Sequence, residues 1–364
     1  MLYNKIYRRF CGADPVALVC ITALILISLY SLYVLGENNM TYAITQGFSS
    51  KTALVQAVSA LIGMAAFIIV LLLGEKNLKR LTPFVFVISF VLTTLTLTPL
   101  GVTVDDDKAW LSVYGISLQP SEILKAAMIM TLSLVLSSHL RKMTRMLLFS
   151  LISLSCCILI FMQRDMGTLL IFLCIIAVML FGSGLNKSAT ALSIIALPIA
   201  GTFAWKLILN QDQKSRILSS LDPSLDPYGV GFQQLSAKNA ITDGGLTGRL
   251  FDDTKSFVYV SSSHNDFILS FVAQLFGFAG VALVCLLLAV LVSRIARTDN
   301  RSEFVSLVST GVFAAFSSQA IINTAMNLSL FPVVGIVLPF VSAGGTAVIC
   351  AYIMTAAAMT TNET

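Results

Sequence analysis

Apolar runs long enough to cross a bilayer recur through almost the whole chain, near residues 15–35, 53–73, 81–100, 119–138, 146–162, 166–184, 188–209, 266–293, 304–327 and 332–358. A crossing helix needs roughly 20 apolar residues, with about 17 as the lower limit. With 57% hydrophobic and 11% charged residues, and a mean hydropathy of +0.88, the composition excludes a soluble globular domain. The expectation is an all-α fold, a polytopic membrane protein of ten transmembrane helices forming one integral membrane domain over residues 1–364. The one long hydrophilic stretch, about 210–265, falls between the seventh and eighth helices.

Charge orients the spans. Lys5, Arg8 and Arg9 precede the first run, and Lys76, Lys79, Arg80, Arg141, Lys142, Arg145, Lys187, Arg294, Arg297 and Arg301 fall on the same side of the predicted bundle. The short connections on the other side hold only Lys51, Lys108 and Arg164. Cytoplasmic loops carry the excess of Lys and Arg, so both termini are expected inside, and the connections 101–118 and 210–265 outside. The first run follows a basic stretch, but it is too long for a signal peptide and more spans follow, so it reads as a retained anchor. The same asymmetry accounts for the net charge of +5 without an acidic partner such as nucleic acid. The two His and seven Cys follow no metal-ligand spacing.

Ionisable residues at membrane depth are costly and are usually paired or face a polar cavity. Glu122 and Lys125 open the fourth run within Gln119-Pro120-Ser121-Glu122-Ile123-Leu124-Lys125. Pro120 suits a first helical turn, and Glu122 suits the positive end of the helix dipole. Lys125 either faces a cavity or snorkels to the outer interface. Asp266 stands where the long loop enters the eighth run, as a helix N-cap or as a carboxylate at a cavity mouth. His264 beside it is a second candidate acid–base group. Asp165 and Thr168 open the sixth run and suit a cap. Asn323 and Asn327 lie four apart on one face of the ninth, where hydrogen bonding between helices is the default. Gly344-Gly345 allows either close helix approach or a break that lines a cavity.

Taken in order, these segments resemble the SEDS family of cell-wall proteins, the RodA/FtsW/SpoVE type. The resemblance rests on Trp110-Leu111, Gln119 through Lys125, Gln163 through Thr168, Leu221-Asp222-Pro223, Gly231-Phe232-Gln233, His264 through Ile268, Gln319 through Asn323, Pro332 through Pro339, and Ser342 through Thr346. It implies a glycosyltransferase that polymerises lipid II into peptidoglycan strands outside the cytoplasmic membrane, releases undecaprenyl pyrophosphate, and works beside a class B penicillin-binding protein. By that resemblance the family's essential acid falls on Asp266, its cavity lysine on Lys125, its loop tryptophan on Trp110, and the arginine before its Asp-Pro motif on Arg216. Asp266 and Lys125 are then the candidate catalytic residues, and Trp110, Glu122, Arg216, Gln233 and His264 the candidate substrate contacts. No metal ligands are assigned, although a divalent cation, Mg or Mn, could assist the leaving pyrophosphate.

The chain also departs from the family pattern. Val260-Ser261-Ser262 stand where Leu-Pro-Glu is usual, Gln274 and Leu275 replace two glutamates, Arg164 replaces a proline, and Ala343 replaces a tyrosine. Acids near Asp266 are thereby lost, which favours a rival reading as a non-catalytic scaffold. A flippase for the lipid-linked precursor would also need a charged cavity, but one opening to both faces, whereas the polar features here gather toward the predicted outer side. One well-placed acid fits a single inverting displacement, with Asp266 as general base. Lys125 is read either as a cation for the leaving group or as a partner holding Asp266 ionised.

Overall fold

The computed structural model describes residues 13–38, 51–104, 107–113, 116–184, 211, 214, 218, 231–250, 257–297 and 301–360. It is predominantly helical. The elements are α1 (Pro15–Asn38), α2 (Lys51–Leu95), β1 (Gly101–Val104), β2 (Asp107–Val113), β3 (Ile116–Leu118), α3 (Pro120–Leu136), α4 (Lys142–Met162), α5 (Met166–Gly182), α6 (Phe232–Gly244), α7 (Ile268–Ile295), α8 (Glu303–Asn327) and α9 (Gly345–Met359). Among the described residues α1, α2, α4, α7 and α8 are long and apolar enough to cross a membrane. Helices close every backbone hydrogen bond within one segment, which is what hydrocarbon requires of a single span. The chain is a multi-pass membrane protein.

The predicted runs 53–73 and 81–100 lie in one element, α2. Its 45 residues would measure roughly 68 Å if straight, more than twice the bilayer core. The backbone instead breaks at Gly74, with φ 70° and ψ 168°. Three contacts show that the helix doubles back there. A Cβ on Gly345, at the start of α9, would lie 3.0 Å from Ser59 Oγ. Gln163, at the end of α4, donates to Thr93 O at 3.2 Å and to Thr96 Oγ1 at 2.5 Å. Lys79, just past the break, pairs with Glu75 at 2.6 Å and lies 5.1 Å from the Phe304 ring centre, at the opposite end of the bundle.

That opposite end is tied together by cations. Arg294 donates to Asp14, Arg145 donates to Leu136 O at 2.9 Å, and Arg301 binds Ser309 and the C-terminal carbonyl Ala358 O. Capping of helix C-termini by arginine satisfies carbonyls that have no partner within the helix.

The structure corrects the sequence reading at several places. The connection 101–118 is not loop: β1, β2 and β3 form a three-stranded antiparallel sheet in that order, with Trp110 opposite Val102. The fold is therefore not purely α. Lys108 anchors the sheet, its N–H donating to Gln163 O at 3.0 Å and its ammonium to Leu97 O at 3.1 Å. The run 332–358 is helical only from Gly345; Pro332, Gly335 and Pro339 precede it in a non-helical stretch. The eighth run begins at Ile268 and kinks at Gly277. The long loop contains a helix, α6. The predicted run 188–209 lies outside the described residues, as do Arg216 and Asp222-Pro223.

Candidate functional site

Lys125 is buried in α3, with 1% of its surface exposed, so it does not snorkel. Its ammonium binds both carboxylate oxygens of Glu122, at 2.8 and 2.7 Å, one turn back along the helix. Glu122, in the first turn, is buried too and is an ion-pair partner as well as a dipole partner. The alternative in which Lys125 pairs with Asp266 is not what the structure shows. Two adjoining clefts are lined by this pair together with Gln319 and Val337; one adds Thr168 and Gly335, the other Phe316, Phe340 and Met354. They are narrow, each with space for little more than one water.

Asp266 reaches this region across Gly335. A Cβ on Gly335 would sit 3.8 Å from Asp266 Oδ2, and Gly335 has φ +67°, which an L side chain rarely adopts. The backbone under Asp266 is held residue by residue. His264 O accepts from Ala343 N–H at 2.9 Å. Asn265 O accepts from Ser342 Oγ at 2.7 Å, and that hydroxyl accepts in turn from Leu338 N–H at 2.8 Å. Asp266 O accepts from the side-chain amides of Asn323 and Asn327, at 2.9 and 3.0 Å. Asn323 also donates to Ile336 O at 2.6 Å. Gln56 closes the far side of the non-helical stretch, donating to Ser342 O at 3.1 Å and accepting from Gly344 N–H at 3.2 Å.

The N-cap reading of Asp266 is corrected. The cap position of α7 is Phe267, which makes no side-chain cap bond. The first turn is capped from another helix: Asn327 Oδ1 accepts from Ser270 N–H at 3.0 Å and from Ser270 Oγ at 2.6 Å. Asn327 thus fixes both the Asp266 backbone and the start of α7. Asn327→Ala would strip the buried Ser270 hydroxyl of its acceptor and take one of two amide donors from Asp266 O, so it is expected to cost about 1–3 kcal/mol. Thermal melting of the detergent-purified protein reads this directly; an unchanged melting temperature would mean that other groups or water replace Asn327.

Asp165 does cap α5, accepting from Thr168 N–H at 2.8 Å, and it is also 3.5 Å from Gln119 Nε2. Arg164, before it, has φ +65°, which a proline in its place could not adopt. Trp110, Gln233 and His264 line neither cleft. Trp110 lies on β2, on the face opposite the buried Ala109 and Leu111. Gln233, on α6, is 3.5 Å from Ser261 Oγ. His264 is half-buried, and burial pushes its imidazole below the ordinary histidine range, toward the neutral form at pH 7. Gln319, which lines both clefts, was not among the candidate site residues; it lies one further step of four before Asn323 and Asn327, which is the signal that singles it out.

A buried ion pair near an aspartate whose backbone is clamped, inside a multi-pass helical protein, defines a membrane protein with a charged interior site. Residues 16–362 match a family model described as "Cell cycle protein", that of FtsW, RodA and SpoVE, and the chain belongs to this family. Stage V sporulation protein E of Bacillus subtilis is 32% identical over 300 residues, covering 80% of this chain and 81% of that protein. The probable peptidoglycan glycosyltransferase FtsW of Thiomicrospira cyclica is 31% identical over 277 residues, covering 73% and 70%. Two solved structures share the fold. A chain from a study of structural coordination of polymerization and crosslinking by a peptidoglycan synthase complex gives a TM-score of 0.78 at 22% identity, covering 95% of this chain and 96% of that one. The rod shape determining protein RodA of Thermus thermophilus gives 0.69 at 19% identity, covering 95% of each chain.

Proposed function

We propose that this protein is a peptidoglycan glycosyltransferase that polymerises lipid II at the outer face of the bacterial cytoplasmic membrane. The observation that carries the reading is the Asp266 carboxylate, on a backbone clamped at residues 264–266 and lying against Gly335, which lines the cleft of Lys125 and Glu122. In this reading Asp266 takes the proton of the acceptor sugar hydroxyl as that oxygen attacks the donor's anomeric carbon. The bond to the pyrophosphate breaks, with inversion, and undecaprenyl pyrophosphate leaves. General bases act through a carboxylate held within hydrogen-bond reach of the hydroxyl. Lys125, paired with Glu122, is the candidate cation of the cleft, and Arg216 is the candidate contact for the leaving pyrophosphate. Among the described residues no group of three or more His, Cys, Asp or Glu side chains converges into a cation site.

The reading includes ten spans with both termini cytoplasmic and a class B penicillin-binding protein as partner. It is supported by the two ends of the bundle. Cations cap and cross-link one end, while the sheet, α6 and the segment carrying Asp266 gather at the other. Single cysteines in a Cys-free background, probed with an impermeant thiol reagent on intact cells, are expected to label at residue 238 and not at residue 142; the reverse pattern would invert the topology.

Reconstitution tests the activity. Purified protein with labelled lipid II is expected to yield polymer on a gel. A parallel assay of lipid translocation in vesicles identifies the rivals: translocation without polymer would make it a flippase, and neither activity would make it a scaffold.

A further inference from the structure

The two positions where glutamates are usual in the resembling family have a different and specific task in this chain. Gln274 is fully buried on α7, and its side-chain amide makes a two-point pair with one backbone residue across the loop. Val258 N–H donates to Gln274 Oε1 at 3.0 Å, and Gln274 Nε2 donates to Val258 O at 2.9 Å. The main chain of the same residue holds the other end of the loop, Arg249 N–H donating to Gln274 O at 2.9 Å. Leu275 completes the contact from the apolar side. It is buried with Leu35 of α1 and Phe271, and Leu250 and Phe257 pack against that cluster. Both ends of the stretch 250–257 therefore close on residues 274 and 275.

The backbone of α7 is shaped to receive this loop. At Gly277 the helix breaks with φ +69°, and Phe278 N–H and Ala279 N–H donate instead to Gly245 O and Leu246 O, at 2.9 and 3.3 Å. Gly248 N would lie 2.4 Å from a Cβ on Gly277, so the two backbones are in direct contact.

We propose that Gln274 and Leu275 form a clasp that fixes the segment 257–266, and that Gln274 is a positioning residue for Asp266. An amide fits the Val258 pair where a carboxylate does not, because it presents an acceptor to the N–H and a donor to the carbonyl. A carboxylate can accept from the N–H, but its second oxygen would face the Val258 carbonyl and repel it. A protonated carboxyl would restore both contacts. The consequence for catalysis runs along the chain: Val258 leads through Val260, packed with Phe267, to the three clamped carbonyls of His264, Asn265 and Asp266.

The test uses Gln274→Glu and Gln274→Met in full-length protein, and the mechanistic arm rests on the polymerase reading above. Burial raises a carboxyl's pKa, to as much as about 8–9 in documented cases. The introduced carboxyl is therefore neutral and clasping below its folded pKa, and loses the clasp as pH rises through it. Polymerisation by Gln274→Glu, as a ratio to wild type at each pH, is expected to be near one at low pH and to fall roughly tenfold or more at high pH. The loss should lie in kcat, with little change in KM. Gln274→Met should be impaired at every pH, without recovery. The Asp243–Arg249 ion pair at the start of the same segment is common to all three proteins.

Backbone hydrogen exchange over residues 258–266, again as a ratio to wild type, reads the clasp without any activity. It should quicken in Gln274→Met, and in Gln274→Glu only at high pH. Unchanged exchange in both variants would overturn the clasp. Faster exchange with unaltered kcat would overturn the positioning role. A wild-type protein that makes no polymer would overturn the polymerase reading, while the exchange ratios still decide the clasp.

Discussion

Lys125→Met is expected to abolish glycan polymerisation, and a second substitution shows whether charge or stability is responsible. In the native protein the ammonium and the Glu122 carboxylate are both buried and bind each other at two oxygens. Removing the lysine alone strands a buried carboxylate. Breaking such pairs typically costs about 3–5 kcal/mol, so a fall in melting temperature is expected along with the loss of activity. Replacing both partners removes the stranded charge, and well-packed neutral replacements of buried pairs are often neutral or stabilising. The double variant Glu122→Gln, Lys125→Met should therefore insert and melt much like wild type, yet make no polymer. The measurements are thermal unfolding in detergent and gel analysis of labelled lipid II products. If the double variant polymerises at the wild-type rate, the ion pair is structural, and the charge for the leaving group comes from elsewhere.

Lys125 was legible in the sequence because a cation inside an apolar run has few inexpensive explanations. Its partner was less so. Glu122 sits in a first helical turn, where the dipole alone accounts for an acid, and only the folded side chains show that the lysine turns back onto it. Asp266 was legible as a residue but not in its setting. Capping was the local explanation, yet α7 starts two residues later, and the side chain that caps its first turn, at Ser270, is Asn327 from α8. A cap delivered from a distant helix leaves no local pattern. The asparagines were visible at helical spacing, but which backbone they hold depends on how α7 and α8 pack.

The spans were read from apolar length, and length fails in two ways. It cannot detect a reversal inside a helical element, as at Gly74 in α2. It also cannot separate a spanning helix from apolar chain that runs non-helically within the protein, as before α9. Non-helical backbone at membrane depth is tolerated when it is buried or lines a cavity, and Gly335 there lines the cleft of Lys125. Pro332, Gly335 and Pro339 were the available warning, since each disfavours a helix. The sheet over 101–118 was missed because its strands are short, with 4, 7 and 3 residues, too few for an alternating pattern to stand out.

Asp266 carries the central claim, and replacing one of its carboxylate oxygens with an amide nitrogen tests it. Asn keeps the size of the side chain and can still accept and donate hydrogen bonds, but it cannot take a proton from a sugar hydroxyl. The clamps on residues 264–266 act on backbone carbonyls, so they are unaffected by the change. Asp266→Asn should therefore express, insert and melt like wild type. General-base assistance is typically worth about 10²–10⁴-fold, so polymer should all but vanish. The decisive measurement is the rate and length distribution of glycan made from labelled lipid II by the purified variant beside wild type at equal folded concentration. The account predicts unreacted lipid II and no ladder for Asp266→Asn; a ladder formed at more than a small fraction of the wild-type rate would contradict it and place the base at another residue.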